Sequence, residues 1–206
     1  MTIAGFRLLP GHLDETAQRQ LADEVLSLAA QASPYRPITP GGKPMSVTMV
    51  NLGDLGWVTD ERGYRYQSTH PVTGEAWPAI PEKLLSLWAE LCDPMTPPDC
   101  CLVNLYDGEA MMGLHRDNDE ADFRFPVLSV SLGDTALFRL GGLKRTDPTG
   151  QVRLASGDVC LLAGAARRAY HGVDRIISGS SRLLPGGGRV NLTLRRAAPA
   201  AMREPG

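Results

Sequence analysis

Three side chains have the types and the spacing to hold a metal ion. His115 and Asp117 stand two positions apart in the run LHRDNDE, and His171 follows Asp117 by 54 positions, in AYHGV. Two imidazoles and one carboxylate can occupy one face of an octahedral metal. This ligand set suits Fe(II) and leaves three positions open for reactants. The sequence therefore predicts an iron site made by His115, Asp117 and His171.

A second group of polar side chains alternates along the run RVNLTLR, which begins 18 positions after His171. Alternate side chains of a β-strand share one face, so this run would present Arg189, Asn191, Thr193 and Arg195 together. Guanidinium groups bind carboxylates through a planar fork of donors, so a face with two of them suits a small dicarboxylate. Metal ligands beside such a face indicate an iron oxygenase that consumes a 2-oxo acid.

The distance between the two arginines tests this interpretation. Arg189 and Arg195 are six residues apart, which is roughly 20 Å of strand at ~3.3 Å per residue. Because that length exceeds a small dicarboxylate, long side chains or a bend must bring the two guanidinium groups inward.

Other interpretations of the metal motif remain open. The HxD pair alone is a weak motif, and a His between charged residues is usually a solvated loop residue. The same residues could serve an oxygenase that acts on a protein or a small molecule, or a non-catalytic binding or sensing domain. A bicupin-like protein or a zinc hydrolase could also use two His and one Asp, but either would leave the two arginines without a role.

The composition is that of one soluble globular domain: 206 residues, 43% hydrophobic and 21% charged. No apolar run approaches the roughly 20 residues that span a bilayer, and the N-terminus shows no secretory signal. We therefore expect a cytoplasmic protein without membrane association. Free buried thiols are expected, because no CxxC pair occurs among Cys92, Cys100, Cys101 and Cys160.

Charge is distributed unevenly along the chain. Residues 139–206 contain 12 Lys and Arg against 4 Asp and Glu, whereas residues 1–138 contain 9 against 19. The formal net charge of −2 conceals this difference. The asymmetry permits a basic face for nucleic acid, although sequence halves need not be spatial halves.

The pattern of elements predicts an α+β protein that is mainly β. Residues 14–31 indicate an amphipathic helix capped by Asp14, and residues 81–92 a short helix opened by Pro81. Residues 45–51 alternate like a strand, and residues 52–80 are expected to be irregular although aromatic. We predict a C-terminal double-stranded β-helix (jelly roll) under an N-terminal helix and strand cap. Its strand candidates are CCLVNLY, PVLSVSL, TALFRLGG, QVRLAS, DVCLLA and RVNLTLR.

The motifs NLY, HRD, AYHG and RVNLTLR, in this order, resemble the AlkB family of Fe(II)/2-oxoglutarate-dependent dioxygenases, and in particular its bacterial DNA-repair members. The resemblance covers roughly residues 34–196. It extends to TPGGKPMSV, LGWVT, RGYRY, WPAIP, LHRDNDE, PVLSVSLG and GGLKRTDP.

The resemblance implies a single dioxygenase domain over residues 1–206. Within it, residues 1–98 would be an N-terminal extension and nucleotide-recognition lid, residues 99–196 the jelly-roll core, and residues 197–206 a tail. It implies Fe(II), 2-oxoglutarate and O2 as cofactor and co-substrates. His115, Asp117 and His171 would be the catalytic iron ligands, and the residues implied for 2-oxoglutarate are Asn104, Tyr106, Arg189, Asn191 and Arg195.

The resemblance also implies a substrate: alkylated DNA, with single strands preferred and RNA as the alternative. The reaction implied is demethylation of bases such as 1-methyladenine and 3-methylcytosine, with release of formaldehyde, succinate and CO2 by a monomeric enzyme. A flipped base would stack between Trp57 and His115, with Asp119 near its exocyclic amine. The substrate-binding set implied is Trp57, Tyr64, Asp119, Thr39, Met45 and Arg145. Core packing is expected instead for Trp77 and Trp88.

The chain departs from the bacterial pattern at four positions. Met111 and Asn118 stand where that pattern has Lys, Arg116 where it has Gln, and Leu162 where it has Trp. Lys43 and Arg116 join Thr39 and Arg145 as candidates for phosphate contacts. We expect the departures to rearrange the phosphate contacts and to leave the metal and co-substrate residues unaffected.

Overall fold

The structure, a computed structural model, describes residues 3–199. Its first helix, α1, spans Glu15–Gln31, and the Asp14 carboxylate accepts a hydrogen bond of 2.8 Å from the Ala17 amide. The second helix, α2, spans Glu82–Leu91 and follows Pro81. Both helices agree with the sequence-based prediction, because their apolar stripes and their N-terminal residues were evident in the sequence.

Two facing β-sheets form the centre of the fold. The larger has the strand order β1-β10-β7-β12-β5-β2 and the smaller the order β6-β11-β8-β9, while β3 and β4 form a separate hairpin. The fold is therefore the predicted jelly roll. The strands are β1 (Phe6–Leu9), β2 (Thr48–Leu52), β3 (Gly56–Asp60), β4 (Gly63–Gln67), β5 (Cys100–Tyr106), β6 (Met112–His115), β7 (Val127–Gly133), β8 (Thr135–Leu140), β9 (Gly150–Leu154), β10 (Val159–Leu162), β11 (His171–Ile177) and β12 (Arg189–Arg195).

The core has two layers, one on each face of the larger sheet. On the outer face, Leu192 and Leu194 of β12 pack with Leu21 of α1 and Trp88 of α2. On the inner face, residues of both sheets pack together, among them Leu102, Val127, Phe138 and Val173. Period-two alternation in β12 therefore separates a helix-covered apolar face from a polar face that points between the sheets.

The N-terminal segment is more closely joined to the jelly roll than a cap would be. Strands β1 and β2 form the two edges of the larger sheet, pairing with β10 and β5. Trp77 and Trp88 are buried, as expected. Of the four cysteines, three are buried and Cys92 is only half-buried. Of the predicted tail, residues 200–206 lie outside the described part of the chain.

Five strands were not predicted: β1, β3 and β4 of the hairpin, β6 and β11. The expectation of irregular structure over 52–80 was therefore wrong for residues 56–67. Trp57, Tyr64 and Tyr66 share one face of the hairpin, but each strand has only five residues, among them glycine and charged residues, so the local signal for a strand is weak. Within residues 3–199, no helix is both long and apolar enough to cross a bilayer.

Candidate active site

A cavity of about 250 Å³ lies between the two sheets and collects most of the predicted site residues. Its walls come from the hairpin, from the loop after β6, and from the inner faces of β5, β7, β11 and β12. Predicted residues that line it are Thr39, Met45, Trp57, Tyr64, Asn104, Tyr106, His115, Arg116, Asp117, Asp119, Leu162, His171, Arg189, Asn191, Thr193 and Arg195.

The three predicted metal ligands converge in this cavity. Their ligand atoms all lie within 4.8 Å of one another. The Nε2 atoms of His115 and His171 are each 3.9 Å from an oxygen of Asp117. This convergence follows from strand pairing, because His171 at the start of β11 stands opposite His115 at the end of β6.

The two imidazoles present the nitrogen that a metal needs. The Nδ1 atom of His115 lies 2.9 Å from the Gly113 carbonyl, and that of His171 lies 3.0 Å from the Ala169 carbonyl. A carbonyl oxygen can only accept, so each Nδ1 carries the proton and each Nε2 keeps its lone pair free. Gly172 permits the close approach of β6 and β11, since a Cβ there would lie 2.6 Å from the Met112 carbonyl oxygen.

Protonation states in this cluster favour metal binding. Burial and the neighbouring His115 lower the pKa of His171 to about 4, so its imidazole is neutral at pH 7. Burial alone raises the pKa of the Asp117 carboxyl. The Arg195 charge and the two imidazoles outweigh that effect and hold the pKa below its usual value. A neutral imidazole at His171 beside an ionised carboxylate at Asp117 is the protonation state in which these groups bind a divalent metal.

Arg189 is a buried cation without an acidic partner. Its side chain is among the largest that are fully buried, and it makes no ion pair within the described residues. It donates to the carbonyls of Asp134 and Leu154, at 3.2 and 3.1 Å, and to the Ser131 hydroxyl at 2.8 Å. Burial lowers the pKa of Arg189. An anion entering the cavity would relieve the cost of this unpaired charge.

Other buried polar atoms along the same wall have no partner. Among residues 3–199, Arg189 Nε, Arg195 Nη1 and Asn104 Oδ1 are buried without a hydrogen bond. Buried polar groups are nearly always paired, so these atoms indicate that a ligand binds at this wall. The two arginine nitrogens would donate to oxygen atoms of the ligand, and the Asn104 oxygen would accept from a hydrogen-bond donor or face a metal. Burial raises the pKa of Tyr106 to about 12, which keeps its phenol protonated and able to donate. The wall therefore fits a dianion such as 2-oxoglutarate, with Fe(II) at the His and Asp cluster.

The aromatic hairpin closes one side of the cavity. Trp57 stacks on Tyr64 with ring centroids 5.6 Å apart and an interplanar angle of 18°. The Trp57 indole Nε1 donates to Asp119 Oδ2 at 2.9 Å. Asp119 therefore contacts the aromatic platform, whereas the Nδ1 atoms of His115 and His171 face backbone carbonyls.

The predicted phosphate contacts are only partly brought together. Thr39 and Arg116 reach the cavity, whereas Arg145 lies outside it, where it donates to the Leu114 carbonyl at 2.8 Å. Arg116 and Arg145 both stand over the Tyr170 ring, 5.5 and 6.0 Å from its centroid. The basic residues of the C-terminal half do not all lie on one face, since three of those within residues 3–199 are buried: Arg167, Arg189 and Arg195.

Glu120 and its partners Arg167 and Tyr66 form a polar cluster beside the metal ligands that was not identified from the sequence. Glu120 is buried, is 3.0 Å from Arg167 and 3.1 Å from Arg195, and accepts a hydrogen bond of 2.8 Å from the Tyr66 hydroxyl. In the sequence Glu120 ends a charged run that is typical of a solvated loop. Its partners are 47 and 75 residues away, so no local signal could have indicated the contacts.

Comparison with known proteins places this geometry in a family. The family model of the 2OG-Fe(II) oxygenase superfamily matches residues 5–195. The alpha-ketoglutarate-dependent dioxygenase AlkB homolog of Caulobacter vibrioides is 64% identical over 200 residues, which are 96% of this chain and 90% of the relative. The alpha-ketoglutarate-dependent dioxygenase AlkB of Escherichia coli is 42% identical over 186 residues, 88% and 85% of the two chains.

A solved structure has the same fold over nearly the whole chain. That structure, described as OsALKBH1, superposes with a TM-score of 0.83 at 30% identity and covers 95% of this chain and 98% of its own. The chain thus belongs to the 2OG-Fe(II) oxygenase superfamily as a bacterial member of the AlkB family, and it is a dioxygenase that uses Fe(II), 2-oxoglutarate and O2.

Proposed function

We propose that this dioxygenase demethylates N-alkylated nucleic-acid bases such as 1-methyladenine and 3-methylcytosine. Oxygen would be added to the N-methyl carbon, and the hydroxymethyl group would leave as formaldehyde and restore the base. Two more distant relatives carry the names DNA N(6)-methyladenine demethylase and tRNA demethylase. We assign this activity to one domain over residues 1–206, with the jelly roll as its core.

The observation that carries the proposal is the stacked pair of Trp57 and Tyr64, with Asp119 beside it, at the same cavity as the His and Asp cluster. Base oxidation requires a nucleotide flipped out of its stack, and aromatic rings receive such a base at about 1–3 kcal/mol per stacked base. Methylation at N1 of adenine or N3 of cytosine makes the base cationic. A carboxylate at the platform therefore favours the damaged base over the intact one.

Each group of the cavity has a role in the proposed reaction. His115, Asp117 and His171 would hold Fe(II) through Nε2 and carboxylate atoms. Asn104, Tyr106 and Asn191 would orient 2-oxoglutarate, whose two carboxylates would pair with Arg189 and Arg195. When bound, Fe(II), 2-oxoglutarate and O2 supply the oxidising chemistry, with succinate and CO2 as by-products. The protein holds the base near the metal and shields the cavity from water.

Contacts at the rim support binding of the nucleic-acid backbone. Thr39, Met45 and Arg116 line the cavity, and Arg145 lies outside it, with Arg116 and Arg145 both over the Tyr170 ring. A preference for single strands would follow, because an unpaired base is flipped at lower cost. Action on RNA, a monomeric state and a cytoplasmic location stay predictions. They can be tested with matched RNA oligonucleotides, light scattering and cell fractionation.

The test is an assay of an oligonucleotide that carries one 3-methylcytosine, with Fe(II), 2-oxoglutarate and O2, read by mass spectrometry. We expect loss of one methyl group with matching formaldehyde and succinate. The unmethylated oligonucleotide and His171→Ala protein are the controls and should give no formaldehyde. Succinate without demethylation of any methylated DNA or RNA base would move the substrate to another class, such as a protein or a small molecule.

A further inference from the structure

Glu120 is a buried carboxylate to which neither the metal cluster nor the base platform assigns a role. Its side chain is 1% exposed. Oxygen Oε1 lies 3.1 Å from Arg195 Nε and accepts a hydrogen bond of 2.8 Å from Tyr66, while Oε2 lies 3.0 Å from Arg167 Nη2. A carboxylate is seldom retained in such a place without paired cations, and here it has two.

Two nitrogens of the Arg195 guanidinium contact carboxylates, and the third nitrogen does not. Its Nη2 donates to Asp117 Oδ2 at 2.9 Å, and its Nε lies 3.3 Å from the same oxygen and 3.1 Å from Glu120. Nη1 has no partner among residues 3–199. Because the guanidinium is planar, fixing Nε and Nη2 also fixes the direction in which the free nitrogen presents its hydrogens.

Asp117 and Glu120 hold Arg195 under different conditions. Asp117 belongs to the metal cluster, so a bound metal competes with Arg195 for its oxygen lone pairs. Glu120 lies outside that cluster and keeps its charge for Arg195 when the metal is present. Arg167 fixes the loop that carries both carboxylates, since it also donates to the carbonyls of Asp117 and Phe125, at 3.2 and 3.1 Å.

We propose that Glu120 is a positioning residue for the co-substrate: it anchors Arg195 in the metal-loaded enzyme so that Nη1 faces the 2-oxoglutarate carboxylate. The inference rests on the proposed pairing of Arg195 with 2-oxoglutarate. The ion pair with Arg167 sets the orientation of Glu120, and the Tyr66 hydroxyl adds one hydrogen bond to it. The anchor thereby joins the co-substrate wall to the hairpin and to the 3-10 turn Gly164–Arg168 that precedes His171.

The test compares Glu120→Gln with Tyr66→Phe. The first variant keeps the shape of the side chain and its acceptor for Tyr66, but removes the charge; the second removes only the hydroxyl and leaves both ion pairs. We would measure 2-oxoglutarate affinity by calorimetry on Mn(II)-loaded protein without O2. Expected is a rise in Kd of about tenfold for Glu120→Gln, which corresponds to ~1.4 kcal/mol, and less than twofold for Tyr66→Phe.

Two further measurements separate positioning from a merely structural role. The Kd for Mn(II) alone should stay within about twofold of the wild type, and in turnover the KM for 2-oxoglutarate should rise while the KM for the oligonucleotide does not. If Glu120→Gln fails to fold because Arg167 is left buried and unpaired, the double variant Glu120→Gln/Arg167→Gln removes both charges. It should show the same loss of 2-oxoglutarate affinity.

The outcomes distinguish this inference from the proposed function. Wild-type affinity for 2-oxoglutarate in Glu120→Gln, together with weakened binding in Arg195→Gln, would overturn the role of Glu120 alone. Wild-type affinity in Arg195→Gln would overturn the pairing of Arg195 with 2-oxoglutarate, and the inference with it. Parallel losses of Mn(II) and 2-oxoglutarate affinity in Glu120→Gln would show a structural role only.

Discussion

Replacing Arg189 should uncouple the stability of the protein from 2-oxoglutarate. The wild-type protein buries this guanidinium, which has no acidic partner among residues 3–199. The carboxylate of the bound ligand would therefore supply its counter-charge. Arg189→Met keeps the approximate length of the side chain and removes the charge. Truncating one partner of a buried, hydrogen-bonded charge pair costs about 2–5 kcal/mol of binding, so the Kd for 2-oxoglutarate should rise at least ~30-fold.

The expected effect on unfolding follows from linkage. A ligand at 100 times its Kd stabilises the folded state by about 2.7 kcal/mol, and at three times its Kd by about 0.8 kcal/mol. For a chain of about 200 residues, 1 kcal/mol shifts Tm by roughly 2–4 °C. At one fixed 2-oxoglutarate concentration with Mn(II), the wild-type Tm should therefore rise by about 5–11 °C and the Arg189→Met Tm by no more than about 3 °C.

The assay is thermal unfolding of Mn(II)-loaded protein with and without 2-oxoglutarate. Arg182→Met is the matched control, because Arg182 is exposed and lies outside the cavity; it should keep the full shift. Arg189→Lys should give an intermediate shift, since it keeps the charge but loses the planar fork. A full shift in Arg189→Met would refute the assignment of Arg189 to the co-substrate.

Three other predictions follow from the described geometry. The metal-free protein should lose stability as pH falls, because burial lowers the pKa of His171 from 6.5 to about 4. The contribution of the neutral His171 imidazole to the free energy of unfolding is fully present above about pH 6.5 and is lost as the pH falls through about 4. His171→Gln should flatten that part of a urea-unfolding series, and an unchanged profile would contradict the pKa. Asp119→Asn should raise the KM for a 3-methylcytosine oligonucleotide about tenfold, ~1.4 kcal/mol, with a smaller effect on uncoupled 2-oxoglutarate consumption; equal losses would mean that Asp119 supports the metal instead. Trp88→Ala, at a fully buried position, should lower the free energy of unfolding by about 3–5 kcal/mol, and a loss below ~1 kcal/mol would show that Trp88 is not central to the core.

Residues on one regular element were predictable from the sequence. The alternation in RVNLTLR predicted the strand β12 and the shared face of Arg189, Asn191, Thr193 and Arg195, all of which line the cavity. The concern that Arg189 and Arg195 lie too far apart for one ligand is reduced, because both side chains reach the same cavity. The spacing of His115, Asp117 and His171 was equally informative, because strand pairing converts it into proximity.

Contacts between distant segments were not predictable by the same reasoning. The link from Glu120 to Tyr66 crosses 54 residues, and that from Asp117 to Arg195 crosses 78. Neither has a periodicity that a single sequence displays. The hairpin β3–β4 was missed for a related reason: its residues are stabilised by stacking and by contact with Asp119, which depend on tertiary structure.

The separation of the hairpin from the main sheets has a consequence for how substrate range can diverge. Strand β12 is hydrogen-bonded to β5 on one side and to β7 on the other, and its two faces contribute to the core and to the co-substrate wall. A shift of its register by one residue would exchange the two faces and destroy both the core packing and the co-substrate wall. The hairpin, by contrast, pairs only with itself. Most of residues 56–67 can therefore be exchanged or reshaped as a module, provided that Val58 stays in the core and Tyr66 keeps its hydrogen bond to Glu120. A library confined to this segment is the natural place to redirect the enzyme to a new substrate without redesigning its oxidative chemistry.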